Sequence, residues 1–235
     1  MVKLIFLCRR RPELTPAQYA ERLLAGHVPL ALRHHPTMRG YVVNLVEHAG
    51  VGMEALDSIG ELTFDRLDDF ENRLYDGPEG RAAIERDVAG FLGGADAYVT
   101  TPHVQLDDAE LRATGGRSPG VKLICPVRRR ADLSREAFLE HWFGTHVALA
   151  RAHHPGLRRY VTNVVESRLG GGEPWDGFTE LHFGSAADIA NGLFDSPEGE
   201  RIVRDDIAKF LAHAGFYRVA EYVHLLPRPE PGRSN

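Results

Sequence analysis

The chain repeats itself. Val2-Lys3-Leu4-Ile5 returns as Val121-Lys122-Leu123-Ile124, and at that offset of 119 the match runs without a gap to Val104 and Leu106 against Val223 and Leu225. About 43 of 105 paired positions are identical. Solenoid units span only about 20 to 50 residues, so a period this long calls for two domain-sized copies, each with its own fold. The duplication divides the chain into a first domain at 1–107, a linker at 108–119, a second domain at 120–226 and a tail at 227–235. Gly, Ser and Pro in Thr114-Gly115-Gly116-Arg117-Ser118-Pro119 suit a flexible linker, and the polar end of the chain suits a loose tail.

Each copy reads as βαββαβ. Val2 to Cys8 is a short β-rich run. Thr15-Pro16-Ala17-Gln18 supplies an N-cap, a proline at the first helical position and a capping-box partner, and the helix runs to about His34, where His35-Pro36 stops it. Ser134 caps the matching helix. Tyr41 to Glu47 and Ile59 to Phe64 follow as strands. Helical pieces at Asp68 to Tyr75 and Glu79 to Leu92 are broken at Gly77-Pro78, and Tyr98 to Leu106 is a last strand. Two split β-α-β units of this kind make a ferredoxin-like α+β fold whose sheet has helices on one face only. The second copy can cover the bare face of the first, closing both four-stranded sheets into one intrachain pseudo-dimeric α+β barrel.

Composition narrows the function classes. With 43% hydrophobic and 26% charged residues the chain is an ordinary globular protein. A net charge of -5 leaves no basic field for nucleic acid or an anionic membrane surface. The two cysteines, Cys8 and Cys125, do not occupy paired positions and are too few for a disulfide framework, which suits a reducing cytoplasm. The apolar run before Arg9 falls short of the roughly 7 to 15 residues of a signal h-region, and nothing approaches the roughly 20 of a membrane span.

The first helix carries the sharpest chemical signal. Tyr19, Leu23, His27, Leu30 and His34 share one face, as do Phe138, Trp142, His146, Leu149 and His153. His27 and His146 therefore sit on the buried stripe, either as satisfied core histidines or as desolvated neutral bases near pH 7. Leu23, Trp142, Leu30 and Leu149 become candidate pocket residues. On the strands, alternation sends Leu62, Phe64, Leu181 and Phe183 toward the helices and Glu61, Glu180 and His182 into the barrel, where Lys3 and Lys122 are available partners for a structural or a catalytic ion pair. Tyr41 and Asn44, repeated as Tyr160 and Asn163, fall on opposite faces of one strand by parity. The pairs His34-His35 and His153-His154 lack a carboxylate at the spacing that would complete a metal site, and no metal is expected. The triplet Gly170-Gly171-Gly172 lacks the context of a dinucleotide-binding loop.

These residues together resemble the EthD-like domains. The resemblance rests on Arg9-Arg10-Arg11-Pro12-Glu13-Leu14, His27-Val28-Pro29-Leu30-Ala31, Arg39-Gly40-Tyr41-Val42-Val43-Asn44 and Asp76-Gly77-Pro78-Glu79-Gly80. In the second half it rests on Leu133 to Phe138, His141-Trp142, His146, Pro155 to Asn163 and Ser196-Pro197-Glu198-Gly199. It implies a dimeric α+β barrel paired within the chain. It carries the helix histidine over to His27 and His146, and the strand tyrosine and asparagine to Tyr41, Asn44, Tyr160 and Asn163. The sequence departs from the pattern where Pro29 becomes Ala148 and Leu23 faces Trp142, so the two pockets need not be equally competent.

The expectation is a cytoplasmic enzyme without a cofactor, a lyase or isomerase of the polyketide cyclase, dehydratase or decarboxylase kind, acting on an aromatic or polyketide-like small molecule. His146, and His27 with it, abstracts a proton; Tyr160 or Asn163 donates to the developing oxyanion; and Glu180 or His182 orients or shuttles the proton. Two alternatives stand beside it: cofactor-independent monooxygenation of a phenol or hydroquinone, and non-catalytic binding of a hydrophobic small molecule, with haem binding a weaker variant. A further homodimer of the pseudo-dimer is left open.

Overall fold

The structure, a computed structural model, describes residues 1–111 and 115–227; linker residues 112–114 and the expected tail from 228 onward lie outside the described residues. The first half runs β1 (Val2–Arg10), α1 (Pro16–Glu21), a π-helical turn (Arg22–His27), α2 (Val28–His34), β2 (Met38–Ala49), β3 (Ser58–Phe64), α3 (Leu67–Glu71), α4 (Pro78–Phe91) and β4 (Leu92–Leu106). The second runs β5 (Val121–Arg129), α5 (Arg135–His141), a π turn (Trp142–His146), α6 (Val147–His153), β6 (Leu157–Leu169), β7 (Gly177–Phe183), α7 (Ala186–Gly192), α8 (Pro197–Phe210), β8 (Leu211–Ala214) and β9 (Tyr217–Leu225). The expected caps are present: Thr15 and Gln18 form a capping box, and the Ser134 hydroxyl accepts the Ala137 N–H. The last strand of the first half starts at Leu92, six residues earlier than its pattern suggests. A Cβ on Gly93 would lie 2.6 Å from the Arg10 carbonyl oxygen, so the glycine that reads as a loop permits close approach of two strands.

The halves carry strand orders β4-β1-β3-β2 and β9-β5-β7-β6. They join through β2 with β9 and β4 with β6, all antiparallel, into one closed barrel with β8 alongside β5. Linker residues on the described side do not stand free: the Ser118 N–H bonds the Glu221 carbonyl and Leu111 is buried.

Strand alternation sorts the core into three parts. Each half packs its helices on the outer face of its own sheet, around Leu4, Tyr19, Ala31, Tyr41 and Phe91 in the first and Phe138, Trp142, Ala150, Tyr160 and Phe210 in the second. The barrel interior holds an apolar layer of Ile5, Leu7, Ile59, Tyr98, Ile124, Phe178 and Tyr217. Beside that layer lies an ionic one. Lys3 Nζ sits 2.7 Å from both Glu61 and Glu180, one from each half, and Lys122 Nζ sits 2.6 Å from Glu61, 3.0 Å from Glu180 and 2.7 Å from Glu221. The Asn44 amide donates to Glu61 and Asn163 to Glu180. Arg159 lies 3.6 Å from Glu180 and donates to His182 Nε2, so three cations face three carboxylates.

Burial alone would raise the carboxyl of Glu180, but Lys122, Lys3 and Arg159 outweigh it and hold it well below the usual range. Glu221 is likewise held at about 2, chiefly by Lys122 against the cost of burial. Burial lowers His182 to about 3, with Glu221 opposing, so its ring is neutral. Its unfolded counterpart binds a proton below about 6.5. Stability is therefore expected to fall as pH drops from about 6.5 toward 3, and to fall further below about 4.3 as the carboxylates protonate on unfolding. Denaturant melts at pH 7, 6 and 5 check this: His182→Thr, which installs the residue of the first copy, should flatten the decline. An unchanged pH slope in that variant would remove His182 from the account.

Candidate functional site

The helix histidines do not face the barrel interior. In each half an apolar cavity lies between the outer face of the sheet and its helices, about 280 Å³ in the first half and about 620 Å³ in the second. His27 lines one and His146 the other. The π turn places them there, since its N–H to carbonyl bonds, Val28 to Leu23 and Val147 to Trp142, span five residues and insert one extra position into the helix. The buried stripe shifts accordingly. Val28, Ala31 and His35 replace Leu30 and His34 on the inner face, and Val147, Ala150 and His154 replace Leu149 and His153. Leu30 and Leu149 are thus not among the cavity-lining residues, a correction to the unbroken 3.6-residue period. Leu23 does line its cavity, whereas Trp142 is buried in the core beside its own.

Each histidine meets an acid from the long second helix. His27 Nδ1 lies 2.8 Å from Asp87 in α4, and His146 Nδ1 lies 3.0 Å from Asp206 in α8. A carboxylate only accepts, so Nδ1 carries the hydrogen and Nε2 keeps its lone pair. Burial lowers the basicity of both rings, with the aspartates opposing, and both are neutral near pH 7. Among the described residues no hydrogen bond engages either Nε2. The rings rest against Phe91 and Phe210, with centroids 5.2 and 5.0 Å apart. Asp87 and Asp206 escaped the sequence reading. Their signal was available in the offset of 119, which pairs them as it pairs the histidines.

The other candidates divide by face. Tyr41 and Tyr160 line the cavities with the histidines; Asn44, Asn163, Glu61, Glu180 and His182 lie inside the barrel, across the sheet from them. A shared site of His146 with Glu180, His182 or Asn163 is therefore not assembled. Glu180, His182 and Glu221 offer ligand atoms within 4.8 Å of one another, but the Lys122 ammonium already stands among these carboxylates where a metal ion would sit. Cys8 and Cys125 line the two cavities as half-buried thiols that desolvation pushes up to about 11 and about 12, far from nucleophilic thiolates. His35 and His154 donate from Nδ1 to the carbonyls of Leu74 and Leu193 and also face the cavities.

The cavities differ in detail. In the first, Tyr19 shares a 2.7 Å hydrogen bond with Ser58, and no hydrogen bond among the described residues engages the Tyr41 hydroxyl. In the second, Phe138 and Gly177 stand at those places, and the Trp142 ring packs against Gly177. Gly177 is required by that packing, because a Cβ there would lie 2.5 Å from the Trp142 ring.

The EthD domain family matches residues 11–95 and 130–214. No curated protein matches the chain in sequence. Among solved structures, an anthrone oxidase-like protein aligns with a TM-score of 0.58 at 13% identity, over 94% of this chain and 92% of its own. A candidate monooxygenase of Fusobacterium nucleatum aligns at 0.62 and 5% identity, over 99% and 98%. A mutant chlorite dismutase from Candidatus Nitrospira defluvii aligns at 0.52 and 14% identity, over 93% and 91%. At these identities the likeness is one of fold.

Gly177→Ser is expected to destabilise the protein by about 1–3 kcal/mol through overpacking against Trp142. Adding Trp142→Leu, the first-copy residue, should recover part of that loss. Additive losses in a double-mutant cycle read by denaturant melts would contradict this packing.

Proposed function

The chain belongs to the EthD domain family, with the domain present twice, and on that footing we propose that it is a small-molecule enzyme whose His–Asp pairs deprotonate a hydroxylated aromatic substrate in an apolar cavity, preparing it for direct oxygenation. One observation carries this reading: a neutral imidazole, oriented through Nδ1 by an aspartate, presents an Nε2 that no hydrogen bond among the described residues engages, on a largely apolar wall, in both halves. That is the arrangement a general base needs, with a proton acceptor at Nε2 and a carboxylate behind it to balance the imidazolium that forms.

In the second cavity a substrate hydroxyl gives its proton to His146 Nε2. Burial keeps the Tyr160 hydroxyl protonated, so its hydrogen is there to meet an oxygen of the bound molecule. Leu123, Leu181, Ile189 and Ile207 exclude water from the electron-rich phenolate. Dioxygen then forms a bond to the ring carbon. For each substrate, one oxygen atom becomes a new quinone carbonyl, and the other leaves as water with the ring hydrogen and the hydroxyl hydrogen. The resemblance to an anthrone oxidase-like protein and a candidate monooxygenase supports this oxygenation over the cyclase, dehydratase or decarboxylase alternative, which would use the same base without oxygen.

Oxygen-electrode assays with anthrones and hydroxynaphthalenes test the reading. One dioxygen is expected per quinone formed, and His27→Ala with His146→Ala should lower kcat/KM by about 10²- to 10⁴-fold. Parental turnover in the double variant would overturn the histidine assignment, and product formed without oxygen uptake would return the chemistry to the cyclase class.

A further inference from the structure

The two His–Asp pairs are not built alike. Among the described residues Asp87, with a side chain 29% exposed, meets only His27, whereas Asp206 is 1% exposed and meets two imidazoles: His146 Nδ1 at 3.0 Å on one oxygen and His141 Nε2 at 2.8 Å on the other. The position equivalent to His141 in the first half is Arg22, whose guanidinium turns away to the Gly90 carbonyl at 2.7 Å. His141 is the last residue of α5, immediately before the π turn that carries His146. The arrangement thus belongs to the half with the larger cavity.

We propose that His141 is a positioning residue of the second half, holding one oxygen of Asp206 so that the other faces His146, and competing for the carboxylate's charge so that His146 stays an uncharged base to lower pH. This rests on the reading of His146 as the base. A fully buried carboxylate needs donors for both oxygens, and the two N–H groups supply them. A positive charge on His141 offsets that of Asp206 and makes a proton on His146 less favourable. The direction fits, since His141 and His154 both act with burial to lower His146 while Asp206 opposes.

The other groups around this pair are few. Lys209, on the same helix as Asp206, has its ammonium 3.8 Å from the oxygen that His141 holds. His154 faces the cavity from α6, Cys125 and Tyr160 from the strands, and His48 and Arg218 from its rim. The Phe210 ring lies against both imidazoles, with centroids 4.9 and 5.0 Å away.

Side-chain NMR titration of His146 in ligand-free protein, together with pH–rate profiles, tests the proposal in two variants. In His141→Gln the amide still donates to Asp206 but carries no charge. The His146 midpoint and the acid limb should rise by roughly half to one pH unit, with kcat on the alkaline plateau kept within about twofold. In His141→Phe the same upward shift should come with a loss of roughly tenfold or more on that plateau, because Asp206 is no longer held. Arg22→Gln should leave the His27 titration unmoved. A His146 midpoint unchanged in both His141 variants overturns the proposal, as would a downward shift. If the midpoint moves as expected while no hydroxyarene is turned over, the coupling stands and the catalytic reading of His146 is what fails.

Discussion

A buried ionic layer decides where chemistry can happen in this protein. Each half presents a sheet with one helix-covered face and one bare face, and the bare faces meet in one closed barrel. Lys3 and Lys122 each contact Glu61 of the first half and Glu180 of the second, so the charges that fill the interior also bridge the two copies. Removing one member would strand an uncompensated charge, a loss of about 3–5 kcal/mol by comparison with other buried pairs. With much of the interior taken up by paired charges and packed aromatics, the two cavities that hold the helix histidines lie on the outer faces, beneath the helices, while a third, of about 770 Å³, is lined by Leu7, Tyr98 and Tyr217 together with the charged Arg9, Glu54, Asp96 and Arg128.

That division explains which features were legible in the sequence. The duplication, the βαββαβ order and the inward direction of Glu61, Glu180 and His182 follow from a repeat, from caps and prolines, and from period-two alternation, all local signals. Parity also separated Tyr41 from Asn44, and the structure places them on opposite faces of β2. The helix stripe was harder. A π turn leaves no mark in a hydrophobic pattern except a mismatch one residue long, so Leu30 and Leu149 took places that belong to Ala31 and Ala150. Depth was hidden too: alternation tells inside from outside but does not say which side holds a cavity. Asp87 and Asp206 sit on otherwise charged helices, where an acid among Arg and Glu looks like a solvated surface residue.

The halves have kept their frame and diverged in their linings. Lys3 and Lys122, Asn44 and Asn163, His27 and His146, and Asp87 and Asp206 are the same in both. The neighbours differ: Tyr19, Leu23 and Ser58 against Phe138, Trp142 and Gly177, and Arg22 against His141. Inside the barrel, Arg159, His182 and Glu221 of the second copy correspond to Gly40, Thr63 and Pro102 of the first, so the ionic layer is itself asymmetric. A tandem chain can hold two versions of one pocket in a single rigid barrel, whereas two identical subunits cannot.

The most direct measurement is a crystal structure of the protein soaked with a hydroxylated polycyclic arene. The ring system is expected between the second sheet and α6–α8, with a hydroxyl within hydrogen-bonding distance of His146 Nε2 and the Lys122–Glu180 layer undisturbed. A ligand bound inside the barrel, with the helix cavity empty and His146 turned away from it, would contradict the central claim.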